Sequence, residues 1–359
     1  MQCKLDSFYS GKKILITGHT GFKGSWLLAW MMESGADVCG FSLAPSTEPN
    51  HFKLQNFSFK NHFGNINSEQ AFKMVLDSFQ PQIVFHLAAQ SLVGYAYQNP
   101  VETVETNVLG TIKILQACRN CNSVKAFVCV TSDKVYRISD PPKNYSEEDE
   151  LGGSEIYSAS KSSAEILVSA FRKSFLHDSS LLVATVRAGN VIGGGDWSED
   201  RLIPDLVRAA ALGQKAIIRN PSHIRPWQHV LDALSGYLIV GQKLFEGDAA
   251  IAGAWNFGPV GEKEFSVDEI VKASAAQWKK IQLQYEGHGK QFGETRTLFI
   301  DSNKSVQQLK WKPVWSTLEG LEKTIGWYRG FYEEGKIITT QQLSEYITAA
   351  RQKDLAWAS

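Results

Sequence analysis

No apolar run in this chain reaches the roughly 18 residues that a membrane-spanning helix needs. The first residues, MQCKLDSFYSGKK, contain no apolar stretch of the kind a secretory signal requires. Neither sign of charge is in excess: Lys plus Arg and Asp plus Glu number 37 each, so the formal net charge is zero. That balance gives no electrostatic reason to expect nucleic acid or an anionic membrane as a partner. Cysteine is scarce and odd in number: Cys3, Cys39, Cys118, Cys121 and Cys129 lie in mostly apolar contexts and form no disulfide framework. The single CxxC, Cys118 and Cys121, lacks the second ligand pair of a tetrahedral zinc site, so no metal is expected. There is no internal repeat and no low-complexity tract. These absences leave a soluble, cytoplasmic, globular protein as the expectation, and 359 residues suffice for a large core, in two domains or one elaborated one.

What the chain does have is alternation. KKILITG (12–18) is a β-rich run ending in glycine, GSWLLAWMMESGA (24–36) has helical spacing, and DVCGFSL (37–43) is a second strand. Strand, glycine turn, helix and strand within about thirty residues make a βαβ unit. The pattern continues: helix 68–79, strand 82–89, helix 101–119, strand 125–133, helix 157–175 and strand 181–189. The fold class expected is α/β, a Rossmann-like doubly wound parallel sheet. After Gly189 the texture changes to a glycine-rich loop (190–204), a helix near 205–213 and an Arg-, His-, Trp- and Pro-dense stretch (216–230). AWNFGP (254–259) reads as a late strand of the main sheet, and a helix over 266–278 begins at a Ser cap. The division expected is a dinucleotide-binding domain over 1–189, with returns near 230–260. A smaller interleaved C-terminal substrate lobe takes 190–229 and 261–359.

Three stretches carry chemistry. In TGHTGFKG (17–24), Gly18, Gly21 and Gly24 follow GxxGxxG spacing at the first strand–helix junction. Such a turn lets backbone approach a pyrophosphate and offers it the free N–H groups of a helix N-terminus; a bare strand-to-helix turn is the alternative. The second strand closes with Ser42 and not with the acidic residue that usually grips the adenosine ribose, and no arginine stands there for a 2′-phosphate; the reading favours NAD over NADP. YSASK (157–161) puts Tyr157 and Lys161 on one helix face, where the ammonium is expected to lower a phenol pKa of about 10 towards neutrality, though a solvated helix face has the same spacing. VCVTSDKVY (128–136) ends a strand in Ser132, Asp133 and Lys134, where open α/β sheets face their ligand crevice; a capped turn is the plainer reading.

With HLAAQ (86–90) and TNVLGT (106–111), these stretches in this order resemble the extended short-chain dehydrogenase/reductase family. More narrowly, GHTGFKGSWL, TSDK, LGG (151–153), RAGNVIGGGDW (187–197), DRLIPD, IIRNP, IRPWQHVL (224–231) and WNFGP are similar to the nucleotide-sugar 4,6-dehydratases that act on CDP-glucose. The resemblance covers most of residues 11–330. It implies NAD held by Gly18, Thr20, Gly21, Phe22, Gly24, Ser42, Asn65, Ile66, Leu87 and Ala88, together with Tyr157 and Lys161. It implies catalysis by Ser132, Asp133, Lys134, Tyr157 and Lys161, with Tyr157 as base at the sugar 4-hydroxyl, Lys134 as the C5 base and Asp133 as acid to the departing 6-hydroxyl. Lys134 would have to be neutral, which burial favours. Asn190, Arg201, Leu202, Arg225 and Glu294 would face the nucleotide sugar, arginine suiting phosphate by its planar donor fork; for Arg225 a structural ion pair is the alternative. His229 is expected to be a packed histidine. The family also pairs helices such as 101–119 and 157–175 across a homodimer interface.

The chain departs from the family pattern at Gly94 (usually arginine), Asn65 (usually aspartate), Ser154–Glu155–Ile156 (usually a tyrosine or similar, Asp, Pro) and Arg296 (usually histidine). The acid–base couple Asp133–Lys134 exceeds what a 4-epimerase or reductase of the same fold needs. A non-catalytic nucleotide-binding protein would not require Ser132, Tyr157 and Lys161 together.

Overall fold

The computed structural model describes residues 3–286 and 295–359. Seven parallel strands form its central sheet: β1 (Lys13–Thr17), β2 (Asp37–Ser42), β3 (Lys60–Phe63), β4 (Ile83–His86), β5 (Ala126–Val130), β6 (Leu182–Ala188) and β7 (Ala254–Phe257). Their spatial order is β7-β6-β5-β4-β1-β2-β3. The chain reverses its direction of winding between β1 and β4, and the crevice beyond the strand carboxyl ends at that switch is where open α/β sheets bind ligands. β3, whose residues KNHF are all exposed, has no strand-like apolar pattern and is the sheet strand that the sequence reading missed.

Side-chain alternation along each strand divides the core into two layers. Ile14 and Ile16, Ile83 and Phe85, and Ala126 and Val128 join one cluster with Trp26 and Leu27 of the Phe22–Glu33 helix and Leu234 and Leu238 of the Val230–Phe245 helix. Leu15, Val84, Phe127 and Cys129 point the other way, against Phe72 and Val75 (helix Glu69–Phe79), Ile114 and Leu115 (Thr111–Arg119) and Val168 and Phe171 (Ile156–Phe175). Strands covered on both faces therefore read as unbroken apolar runs.

The expected long helix 101–119 is interrupted. Pro100–Val104 and Thr111–Arg119 are α-helical, but Glu105–Gly110 between them is a π-helical segment, an arrangement common at functional sites. The 205–213 helix starts earlier, at Leu202, and the 216–230 stretch is three short strands (Lys215–Ile218, Ile224–Arg225, Trp227–His229). Ser266 caps the Val267–Gln277 helix in a capping box with Glu269. Among the described residues, no helix is long and apolar enough to cross a membrane.

The C-terminal helices Thr317–Glu334 and Thr339–Gln352 are fastened through Asp232, which lies in the first turn of the Val230–Phe245 helix. Its Oδ1 accepts the Val314 N–H (2.6 Å) and the Tyr346 hydroxyl (2.8 Å), while Oδ2 is buried without a partner among the described residues. Burial pushes this carboxyl up from 3.8 to about 7. A folded-state pKa above the unfolded one means that the unfolded chain sheds its proton first, so stability falls as pH rises between about 4 and 7. Asp232→Asn keeps the acceptor and removes the titration. Its melting temperature relative to wild type should rise across that window, as measured by thermal unfolding at successive pH values.

Candidate active site

β1 runs into the glycine loop, and each glycine there meets a different constraint. Gly18 adopts φ +75°, and a Cβ on it would lie 2.6 Å from the Ala88 nitrogen. A Cβ on Gly24 would lie 2.1 Å from the Gly18 carbonyl, so helix and strand pack backbone to backbone. Gly21 is different: its added Cβ would meet only the Gly18 carbonyl, at an ordinary 3.4 Å. Nothing among the described residues demands glycine at 21, whereas a phosphate lying against the loop would. Gly21 is also the N-cap of the Phe22–Glu33 helix, and no side chain caps that end, so the first N–H groups remain free for an anion. The loop therefore fits the pyrophosphate of a dinucleotide.

The remaining expected cofactor residues lie around this loop. Thr20 Oγ1 bonds Ser42 Oγ at 2.8 Å and donates to the Leu43 carbonyl at 2.9 Å, tying the loop to the end of β2. The Leu87 and Ala88 amides bond to Thr17 (3.1 and 3.3 Å), closing the other side, and Phe22 begins the helix. Asn65 is exposed and its Oδ1 accepts the Asn67 N–H (2.9 Å); Ile66 is buried beneath it. His19 faces the sheet interior: Nε2 bonds Asn61 Oδ1 at 2.8 Å, and burial lowers its pKa to about 4.

At the end of β5 the chain turns into a single 3₁₀ turn, Asp133–Val135, with Ser132 as its cap. The Ser132 hydroxyl accepts the Lys134 N–H (3.2 Å) and donates to Asp133 Oδ1 (3.1 Å). Asp133 Oδ2 is buried and has no partner among the described residues. Burial raises the Asp133 pKa, against the pull of Lys134, Ser132, Lys23 and Arg225. Lys134 is half-buried and lines a cavity of about 560 Å³ with Tyr136, Gly152, Glu155, Arg225 and Leu298.

Tyr157 and Lys161 project from the first turns of the Ile156–Phe175 helix, both buried. The expected depression of the phenol is not found. Burial raises Tyr157 to about 12, and the hydroxyl of Ser132, which faces it, only partly offsets this. Lys161 donates instead to the Val130 carbonyl (3.3 Å), and burial lowers its own pKa. Thus Ser132, Asp133, Tyr157 and Lys161 converge on one crevice, with Lys134 on its wall.

Two positioning residues escaped the sequence reading. Glu155, noted only as a departure, is the N-cap of the Ile156–Phe175 helix: its carboxylate accepts the Tyr157 and Ser158 N–H groups, both at 2.7 Å. Glutamate is not a usual cap residue, so its spacing gave no signal. Asn107, inside TNVLGT and the π segment, takes the Gln90 N–H (2.8 Å) and donates to the Gln90 carbonyl and Ser160 Oγ (2.9 Å each). It joins the loop after β4 to the helix of Tyr157.

The expected substrate residues occupy the far wall. Arg201 N-caps the Leu202–Ala211 helix by position, pairs with Asp196 (2.8 Å) and reaches Ser91 Oγ (3.0 Å); Leu202 follows it, half-buried. Asn190 opens the short strand Asn190–Ile192, which pairs with Trp227–His229. Arg225 donates to the Ile224 and Arg296 carbonyls (2.9 and 3.1 Å) and contacts His223 Nδ1 (3.2 Å), so its guanidinium is anchored by backbone at the cavity edge. Gly94 leaves room for Asp200, whose Oδ2 would lie 2.9 Å from an added Cβ. His229 is buried among Trp26 and Trp315, with Nδ1 accepting the Leu231 N–H (3.3 Å). Glu294 lies outside the described residues.

Gly24→Ala should lower the melting temperature sharply, because its methyl meets backbone. Gly21→Ala should melt like wild type yet bind a dinucleotide at least tenfold more weakly; calorimetric titration with NAD separates the two. Glu155→Ala should lower turnover several-fold and stability by about 1 kcal/mol, the usual cost of a lost cap.

Comparison with known proteins follows the same geometry. The family model described as GDP-mannose 4,6 dehydratase matches residues 15–324. A CDP-glucose 4,6-dehydratase of Salmonella typhimurium is 41% identical over 355 residues, covering 96% of this chain and 98% of the relative. The dTDP-glucose 4,6-dehydratase of Bacillus anthracis, solved in complex with NAD, superposes with a TM-score of 0.76 at 26% identity, over 90% of this chain and 98% of that one. The epimerase Mth375 of Methanothermobacter thermautotrophicus superposes with a TM-score of 0.80 at 25% identity, over 92% of this chain and 96% of that one. This chain belongs to the GDP-mannose 4,6 dehydratase family, within the extended short-chain dehydrogenase/reductases that its motifs resemble.

Proposed function

We propose that the chain is an NAD-dependent nucleotide-sugar 4,6-dehydratase, a hydro-lyase that converts CDP-D-glucose to CDP-4-dehydro-6-deoxy-D-glucose. One observation carries the chemistry: a buried Asp133, whose Oδ2 has no partner among the described residues and whose pKa burial raises, stands beside Lys134 in the crevice of Ser132 and Tyr157. An epimerase needs no such couple. The choice of CDP-glucose rests on the 41% identical relative and on RAGNVIGGGDW and IRPWQHV.

In this reading Tyr157 takes the proton of the 4-hydroxyl, with Ser132 bonding the same oxygen and Lys161 supplying positive charge beside it. NAD held at the glycine loop would supply the hydride acceptor for C4 and the hydride donor for C6, with no net oxidation. The 4-keto group acidifies the C5 proton, which Lys134 removes. Asp133 gives its proton to the 6-hydroxyl, and water departs. Gly18, Gly21, Gly24, Thr20, Phe22, Ser42, Asn65, Ile66, Leu87 and Ala88 would hold the dinucleotide; Asn190, Arg201, Leu202, Arg225 and Glu294 would hold the nucleotide sugar. In domain terms this assigns the cofactor to 1–189 with its return near 230–260, and the substrate to the remainder.

The protein also reads as a cytoplasmic homodimer. Its five cysteines are free, as suits a reducing compartment. Exposed Val101, Val104 and Leu109 on one helical stretch, and Ile166, Leu167 and Phe175 on the catalytic helix, supply an apolar face for a second copy.

With NAD and a panel of CDP-, dTDP-, UDP- and GDP-hexoses, CDP-glucose should lose the mass of one water and give a product that absorbs in the near ultraviolet in alkali. No turnover of any of them would sink the enzyme reading. Lys134→Ala should block elimination while leaving C4 oxidation partly intact; normal dehydration by that variant would show that another group is the C5 base. Leu109→Glu combined with Ile166→Glu should halve the mass measured by light scattering.

A further inference from the structure

Glu155 serves the helix and the cavity at once. Its carboxylate closes the first turn of the Ile156–Phe175 helix, accepting the Tyr157 N–H on Oε2 and the Ser158 N–H on Oε1 (2.7 Å each). Its side chain also lines the cavity of about 560 Å³ that Lys134 and Arg225 line. A cap needs only the short reach of Ser, Thr, Asp or Asn. Glutamate is one methylene longer than aspartate, and the longer side chain here forms part of a cavity wall.

An ionised carboxylate offers about four acceptor sites. On Glu155, Oε1 takes both the N–H and the hydroxyl of Ser158, and Oε2 takes the Tyr157 N–H. One site on Oε2 remains. The other carboxylate on the cavity wall, Glu150, is already paired with Arg137 (2.5 Å). The side chains of Val93, Leu151 and Leu298 on the same wall offer no acceptor. Glu155 is therefore the lining carboxylate with a charged acceptor left for a ligand. In the reading above, Tyr157 meets O4 of the sugar and Lys134 meets C5. C5 is one ring neighbour of C4, and C3 is the other. Glu155 stands two residues before Tyr157 at the start of the same helix, so the ring hydroxyl that comes to it is the one on C3.

We propose that Glu155 is the specificity-determining residue for the sugar 3-hydroxyl: Oε2 accepts its hydrogen bond while the cap holds Tyr157 at O4. This rests on the dehydratase reading above and adds to it what the site recognises on the hexose. Two adjacent ring oxygens are then held by one turn of helix, O4 by Tyr157 and O3 by Glu155. Fixing both stops the ring from rolling about its C1–C4 axis, so C5 stays turned to Lys134. A sugar without that hydroxyl leaves the carboxylate short of a partner, and a site built to bond a hydroxyl discriminates against such an analogue.

The test measures kcat/KM, and Kd by calorimetry, with NAD present, for CDP-glucose, CDP-3-deoxyglucose and CDP-2-deoxyglucose. Wild type is compared with Glu155→Ala, which removes cap and acceptor together, and with Glu155→Asp, which keeps a capping carboxylate but withdraws it by a methylene. In wild type the 3-deoxy sugar should be the poorer substrate and ligand by roughly tenfold or more. That penalty should all but disappear in both variants, whereas the 2-deoxy penalty should be the same in all three proteins. Loss of the cap alone weakens every sugar in proportion and leaves these ratios untouched. Glu155→Asp should melt like wild type, which keeps the ratios readable if Glu155→Ala fails to fold. An undiminished 3-deoxy penalty in a folded variant would overturn the proposal, as would its absence in wild type. Disappearance of the 2-deoxy penalty instead would overturn the choice of hydroxyl. The Kd ratios need no turnover, so this pattern of binding without product would count against the dehydratase reading and not against Glu155.

Discussion

The site rests on one buried ion pair. Glu165 lies one turn beyond Lys161, and Arg187 lies on β6; Arg187 Nε and Nη2 meet the two Glu165 oxygens at 2.9 Å each. Both side chains are almost wholly excluded from solvent. Thr131 and Thr185 donate to the same carboxylate (2.5 and 2.7 Å), and Arg187 Nη1 reaches Tyr136, whose hydroxyl donates to Asn256 on β7 (2.6 Å). Burial alone would raise the Glu165 pKa, but Arg187 and the two threonines hold it below its ordinary value. Removing either partner of such a pair strands a charge in the interior, at a cost of about 3–5 kcal/mol. The pair therefore ties the Ile156–Phe175 helix to β6, and through Thr131 to the end of β5, which holds Tyr157 in place relative to Ser132 and Asp133.

That dependence explains what could be read from the sequence and what could not. TGHTGFKG, TSDK and YSASK were legible because each sits at a strand–helix junction whose periodicity is plain, and the crevice they share follows from parallel winding. Glu165 and Arg187 were not, because a charged residue on a helix and another on a strand reveal their pairing only after folding. The same holds for Glu155, whose capping role depends on the turn before Tyr157, and for Asn107, whose three bonds join segments distant in sequence. The Tyr157 pKa was misjudged for a related reason. Spacing places Lys161 nearby, but burial, which spacing does not report, acts more strongly on the phenol.

In RAGNVIGGGDW, one of the stretches that carry the family resemblance, the central glycines meet packing constraints. A Cβ on Gly194 would lie 2.0 Å from Trp327, and one on Gly195 would lie 2.4 Å from His51. Gly194 thus leaves room for Trp327 of the C-terminal helix Thr317–Glu334, and Gly195 for His51 of the His51–Gln55 helix. The neighbouring carbonyl of Gly194 accepts the Trp26 indole N–H at 2.8 Å.

That packing explains why the cofactor loop and the C-terminal lobe form one device. Trp26 stacks on His51, 5.0 Å between centroids, and His51 in turn bonds Ser25 Oγ (2.7 Å) and Thr339 Oγ1 (2.8 Å). Trp327 donates to the same Thr339 hydroxyl (3.0 Å). Burial lowers the His51 pKa to about 3, so the ring stays neutral and these bonds persist through the physiological range. The Phe22–Glu33 helix that follows the glycine loop is thereby held at its buried side by the last two helices of the chain. The Asp196–Tyr328 contacts (2.6 and 2.9 Å) anchor the segment that carries Arg201 to the same helix pair. Cofactor loop and substrate wall are thus referred to a single support, so neither can shift against the catalytic helix without disturbing a core built from tryptophan.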